Sequence, residues 1–342
     1  MSSPSAASRH DVPPEAKEAV DAGIHRLRLP TSFAVGPLNS YLIEDDPLTL
    51  VDAGPNSASS FAALEAGLAE LGHKVEDLGL ILVTHQHLDH IGLVGMLARR
   101  SGADVAALDL LAPWLATYEQ SIDAQQSYID EIMAVHGVSR EVRMVVEAMG
   151  RRGRGFGASA DVTVPLVVGE ELRLRDRTLT VLHRPGHSPS DTLFCDADRR
   201  ITIGGDHLLG HISSNPVITR PLAGAAYPRP QTLVTYLASL EATAAQQIDL
   251  ILPGHGKPIY DHQGLIGRRL AQPQERRDRL HSLIVERPRS AHELAVELFG
   301  DEAIRQAGLT ISEVLGHVDL LLNDGEVAEI RDSDGLITYA AQ

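Results

Sequence analysis

Cysteine is almost absent. The 342-residue chain has one, Cys195, which excludes an intramolecular disulfide and a cysteine-rich zinc site. No uncharged apolar run approaches the roughly 18 residues that suggest a membrane-spanning helix. The first residues, MSSPSAASRHDVPPEA, have no apolar stretch of the kind that drives export. These features place the expected location in the cytoplasm. Positive charge is also scarce: 30 Lys and Arg stand against 46 Asp and Glu, a formal net charge of −16. That balance favours solubility and opposes nonspecific binding to nucleic acid. What remains is ordinary for a soluble globular chain, 43% hydrophobic and 22% charged, which excludes wholesale disorder. The length exceeds what one small domain needs.

The pattern along the chain implies three regions. Residues 1–20, rich in Ser, Ala and Pro, read as a loose leader. From Ile24, short apolar runs alternate with turn signals and amphipathic helical stretches, and this α/β organisation extends to about residue 264. Within it, residues 109–157 differ: Trp114, Tyr118, Tyr128, Ile129, Met133, Met144 and Met149 lie in helical patterns that interrupt the strands. After 265 come helical patterns at 267–286, 290–299 and 311–323. Two β-like runs follow, with Asp334-Gly335 between them as a hairpin turn. Three helices and a two-stranded wing form a winged-helix pattern.

Histidine is abundant, at 16 residues, and its placement carries the chemistry. Thr84-His85-Gln86-His87-Leu88-Asp89-His90 directly follows the apolar run 80–83. Alternate residues of an extended segment face the same way, so His85 and His87 can address one ion. The turn into the next helix swings Asp89 and His90 toward a second position. Three later turns, each after a predicted strand and beside glycine, offer further ligands: His187 in Pro185-Gly186-His187, Asp206 in Gly204-Gly205-Asp206, and His255 in Gly254-His255-Gly256.

With these residues in this order, the chain resembles the metallo-β-lactamase superfamily over roughly residues 24–260. It is most similar to the glyoxalase II-like branch and to members with a C-terminal winged helix. The resemblance implies an αββα sandwich with two metal ions at one edge. His85, His87 and His187 would hold the first, Asp89, His90 and His255 the second, and Asp206 would bridge them. The all-nitrogen and oxygen donor set suits zinc, with iron or manganese tolerated. The implied activity is metal-dependent hydrolysis of a small thioester or related acyl ester, with a hydroxide shared by the metals attacking the carbonyl. Asp89 and Asp206 are the acidic residues at the reacting point. Asp52 matches a position that supports the ligands, Thr84, His183 and His207 are candidates to hydrogen-bond them, and the role of Asp191 is open. Cys195 reads most simply as a small core residue.

Two other functions fit the same residues: a phosphodiesterase or endoribonuclease of this fold, and a metal-stabilised binding module without catalysis. Residues 265–342 hold 9 Arg against 14 Asp or Glu, and their arginines are interrupted by acids. A packing, dimerising or substrate-covering role is therefore expected of this region, rather than nucleic-acid binding. The stretch Arg151-Arg152-Gly153-Arg154 is a candidate anion clamp, and residues 211–215 are expected near the metal mouth.

Overall fold

The computed structural model describes residues 16–214 and 216–342. Six strands pair in sequence order: β1 (Ile24–Leu29), β2 (Leu38–Ile43), β3 (Thr49–Val51), β4 (Leu80–Leu82), β5 (Asp104–Leu108) and β6 (Val164–Leu166). The first three are antiparallel and the rest parallel. Five more, β7 (Glu171–Arg173), β8 (Thr178–His183), β9 (Thr192–Asp196), β10 (Ile201–Gly205) and β11 (Leu250–Pro253), form a second sheet in the order β11-β10-β9-β8-β7.

Period-two alternation explains why the sheets stack. In β2, Tyr41 and Ile43 enter the core between the sheets, while Leu38 and Leu42 face outward. In β4, Leu80 and Leu82 point in and Ile81 points out, and in β11 Leu250 and Leu252 point in and Ile251 out. Strands buried on both faces have to be apolar throughout, as 80–82 and 250–252 are. Helices α2 (Ala58–Glu70) and α4 (Val94–Ser101) cover the outer face of the first sheet through Leu64, Leu68, Val94 and Leu97. Helices α8 (Thr232–Ala244) and α9 (His262–Ala271) cover the second through Leu233, Tyr236, Leu240, Leu265 and Ile266. The result is the αββα sandwich. No described helix is long and apolar enough to cross a membrane.

Residues 1–15 of the expected leader, and Asn215 near the expected mouth, lie outside the described residues. The rest of the leader departs from expectation. Helix α1 (Lys17–Asp21) is ordered on the sandwich because Ala16 and Ala19 are buried beside Ile24.

Helix α9 runs through the expected boundary at 264. It is followed by α10 (Pro273–Glu286), α11 (Ala291–Phe299), α12 (Glu302–Arg305) and α13 (Ala307–Asn323). The short strand β12 (Arg289–Ser290) pairs with β14 (Ile337–Ala341), which pairs with β13 (Val327–Arg331). The insertion forms α5 (Ala112–Ala116), α6 (Tyr118–Val135) and α7 (Arg140–Gly153), with α3 (Leu88–Ile91) preceding it. Its residues Tyr128, Ile132, Met133 and Val138 share one hydrophobic core with Leu280, Leu283, Ile311 and Val314 of the C-terminal helices. The insertion is therefore a bracket that holds the C-terminal unit against the sandwich. Met144 and Met149 do not join that core; both side chains are exposed.

Candidate metal centre

Five turns at strand ends converge on one edge of the sandwich. Asp52 follows β3, residues 84–90 follow β4, His187 follows β8, Asp206 follows β10 and His255 follows β11. Strands β3 and β4 are parallel, as are β10 and β11, so their C-terminal ends present these turns together. The glycines act by small size. A Cβ on Gly254 would stand 2.3 Å from Asp206 Oδ1 and 2.8 Å from His90 Cε1, and one on Gly186, at φ +152°, would strike Tyr236 at 2.4 Å.

All seven residues expected to bind metal come together. Nε2 of His85 and Nε2 of His187 lie 3.1 and 3.0 Å from Nδ1 of His87. On the other side, Nε2 of His255 is 3.3 Å from Asp89 Oδ2 and 3.5 Å from Asp206 Oδ2. Asp206 stands between the two sets: Oδ1 is 3.6 Å from His90 Nε2 and Oδ2 is 3.6 Å from His187 Nε2. Three groups of donor atoms each fall within 4.8 Å: His85 with His87 and His187; His85 with His90 and Asp206; Asp89 with His90 and His255.

The donor chemistry fits divalent ions. His90 Nε2, His255 Nε2 and Asp206 Oδ1 are buried and find no hydrogen-bond partner among the described residues. Such orphans are costly unless a cation takes their lone pairs. Burial drives the His85 imidazole well below its ordinary value, helped by its neighbours His90 and His87, and pushes His187 down to about 3. Both rings are thus neutral donors. Burial also opposes charge on His90 and on Asp206, but at His90 the carboxylates of Asp52 and then Asp206 prevail, and at Asp206 the rings of His90 and His255 prevail. The ring is held well above its usual value and the Asp206 carboxyl well below. The site therefore joins anionic oxygen to nitrogen donors, neutral at His85 and His187 and drawing a proton at His90 and His255, where a cation would take the proton's place.

Supporting residues fix the rings. Asp52 Oδ2 accepts from His90 Nδ1 at 2.7 Å and from Thr84 Oγ1 at 2.7 Å, while its Oδ1 accepts from Thr84 N at 2.9 Å. Thr84 Oγ1 also lies 2.9 Å from His85 Nδ1, so of the three candidates Thr84 meets a ligand. Asp191 accepts from Ser188 N and Oγ at 2.8 and 2.7 Å, closing the turn that carries His187; burial raises its carboxyl to about 8. His183 and His207 do not touch the ligands. His183 Nε2 donates to Pro189 O, and His207 Nε2 pairs with Thr243 Oγ1, so each braces a loop.

Sequence reasoning missed two positioning residues. Asn39 donates to Pro253 O and Gly256 O, both at 3.0 Å, and so grips both sides of His255 from another sheet. Gln86 accepts from Ser190 Oγ, tying the 84–90 turn to the turn that carries His187. Gln86 sits inside the motif yet is 4% exposed, a polar residue that only a partner makes tolerable. The arginine stretch closes α7 and enters the single helical turn after it, with Arg154 paired to Glu119 and Asp123 and Arg151 to Glu147. Cys195 is buried in β9, where burial pushes its thiol up.

An αββα sandwich with these donors at its edge defines a metallohydrolase-type fold. The model of the metallo-beta-lactamase superfamily matches residues 34–255, and the chain belongs to that superfamily. It is 31% identical over 296 residues to the probable metallo-hydrolase YqjP of Bacillus subtilis, covering 86% of this chain and 91% of that one. The metallo-beta-lactamase family protein TTHA1429 of Thermus thermophilus superposes with a TM-score of 0.78 at 26% identity, covering 94% of this chain and 99% of that one. A shorter match, 30% identical over 128 residues, is to the human acyl-coenzyme A thioesterase MBLAC2, covering 37% of this chain and 40% of that protein.

Proposed function

We propose that this protein is a binuclear metal-dependent hydrolase of a small thioester or related acyl ester, in the glyoxalase II-like branch of its superfamily. The observation that carries the reading is the Asp206 carboxylate standing between two donor sets, His85, His87 and His187 on one side and Asp89, His90 and His255 on the other. The donor types suit zinc and tolerate iron or manganese. Two such ions, when bound, supply a water of lowered pKa and polarise a substrate oxygen.

The chain's own residues do the rest. Asp52 holds the His90 ring by its Nδ1, leaving Nε2 for the ion. His255 is held likewise, donating from Nδ1 to Pro37 O at 3.0 Å. Asp89, with one oxygen 3.3 Å from His255 Nε2, also lines the open cavity, which suits it to orient a water and hold its proton.

A small acyl substrate is supported by the cavity over the donors, which among the described residues is lined by no Arg or Lys to meet a phosphate. Short matches to acyl-coenzyme A and acyl-carrier-protein thioesterases agree with it. The second reading, a nuclease, draws on a 40% match over 99 residues to the exodeoxyribonuclease WalJ of Streptococcus pneumoniae, which covers 28% of this chain and 35% of that protein. The acidic C-terminal unit, which we read as a winged helix serving packing, self-association or substrate covering, weighs against it. We place the protein in the cytoplasm. A hydrolysis screen of the metal-loaded chain against thioesters, lactones, phosphodiesters and short RNA tests the assignment. Turnover confined to acyl substrates is expected; turnover confined to phosphodiesters contradicts it.

A further inference from the structure

We infer that the metal-centre cavity selects an uncharged, medium-length aliphatic acyl group, and that the C-terminal unit supplies part of the selecting wall through Leu309. This rests on the hydrolase reading above and names the substrate class for the same site.

The cavity measures about 350 Å³ and has His87, Asp89, His187 and Asp206 as its floor. Its walls come from separate parts of the chain: Phe33 and Val35 from the β1–β2 loop, Leu88 from the start of α3, Ile212 and Val217 from the segment between β10 and α8, and Leu309 from the first turn of α13. Among the described residues, the polar lining apart from the floor is Ser213 and Ser214. A carbonyl placed over the floor therefore sends its acyl chain along an aliphatic and aromatic surface. Each methylene buried there favours binding roughly fourfold, whereas a charged group meets no counterion.

The walls are held in place. Phe33 packs edge-on against Phe156, with ring centroids 5.6 Å apart. The segment carrying Val217 is tied to the helix carrying Leu309, because Ile218 N donates to Ser312 Oγ at 3.1 Å. Arg229, further along that segment, clasps Asp319 of α13 with two bonds of 2.7 and 2.6 Å. Yet Leu309 and Ile212 remain 43% and 40% exposed, large apolar side chains left half open beside the polar floor. An apolar acyl chain covers them. Val217 also lines a neighbouring apolar cavity of about 280 Å³, so the adjoining space is apolar too.

The test compares the affinities of octanoate and acetate, two carboxylate probes of different chain length, for the full zinc-loaded chain by calorimetry. Octanoate is expected to bind at least about tenfold more tightly. In Leu309→Asn and in Ile212→Asn the ratio falls below about three, while zinc content by elemental analysis matches the wild type and shows that the fold and centre survive. A wild-type ratio near one, or a ratio unchanged in both variants, overturns the inference. The two readings fail separately. Absence of ester and thioester turnover with the octanoate preference intact removes the hydrolase assignment, whereas acyl turnover with a ratio near one removes only the selectivity claim.

Discussion

His90 and Asp52, 38 residues apart in the chain, meet at 2.7 Å through Nδ1 and Oδ2, and this one bond aims the opposite ring nitrogen at Asp206. Asp52 holds an unusual backbone conformation to do so, with φ at +58°, a region that Asp and Asn tolerate better than most residues.

Asp52→Asn should therefore keep the backbone while weakening the grip on His90 and Thr84. Loss of such an outer partner typically lowers metal affinity about 10–100-fold. Competition with a chelator measures it; unchanged affinity would show that the ring needs no such support.

The C-terminal unit depends on a buried ion pair. Asp319 is 2% exposed and meets Arg229 with both oxygens. Asp319→Ala leaves the guanidinium buried and unpaired, a loss that usually costs about 3–5 kcal/mol. Chemical denaturation should show a lower midpoint, and limited proteolysis should cut earlier within 216–231.

Acid should loosen the same region. Burial, with Arg229 and Arg331 nearby, lowers the His136 imidazole from 6.5 to about 3. Among the described residues its Nδ1 finds no hydrogen-bond partner, and its ring stacks on Tyr339 at 6.1 Å. A folded-state value below the unfolded one means that this contribution is fully present above pH 6.5. It is lost as pH falls toward 3, at about 1.4 kcal/mol per pH unit. His136→Phe keeps the stacking and removes the titration. Its stability should decline less steeply than the wild type between pH 6.5 and 4.5, as thermal melts across that range would read.

The donor turns were legible because metal ligation imposes local spacing: His85, His87, Asp89 and His90 are adjacent in sequence, and His187, Asp206 and His255 each sit beside glycine after an apolar strand. The two-sheet core was legible for a similar reason, since period-two alternation is a local signal. The contacts that were not legible join distant residues through ordinary side chains. Asn39 grips the turn of His255 from 214 and 217 residues away, and nothing about an asparagine in an apolar strand announces that partner. Tyr128 and Met133 lie in helical patterns that show only an interruption of the strands. Their true neighbours, Leu280 and Ile311, lie more than 140 residues on. Helix α1 was hidden in a Ser- and Pro-rich opening, because two buried alanines, Ala16 and Ala19, carry little pattern.

The most direct measurement is the metal content of carefully loaded protein, by mass spectrometry of the dissolved chain, for the wild type and for His87→Ala and Asp206→Ala. The account predicts about two divalent ions per wild-type chain. His87→Ala should lose one of them, and Asp206→Ala, which empties the position between the donor sets, most of both, with circular dichroism unchanged. A wild type that retains none, or an Asp206→Ala variant that retains both, would contradict it.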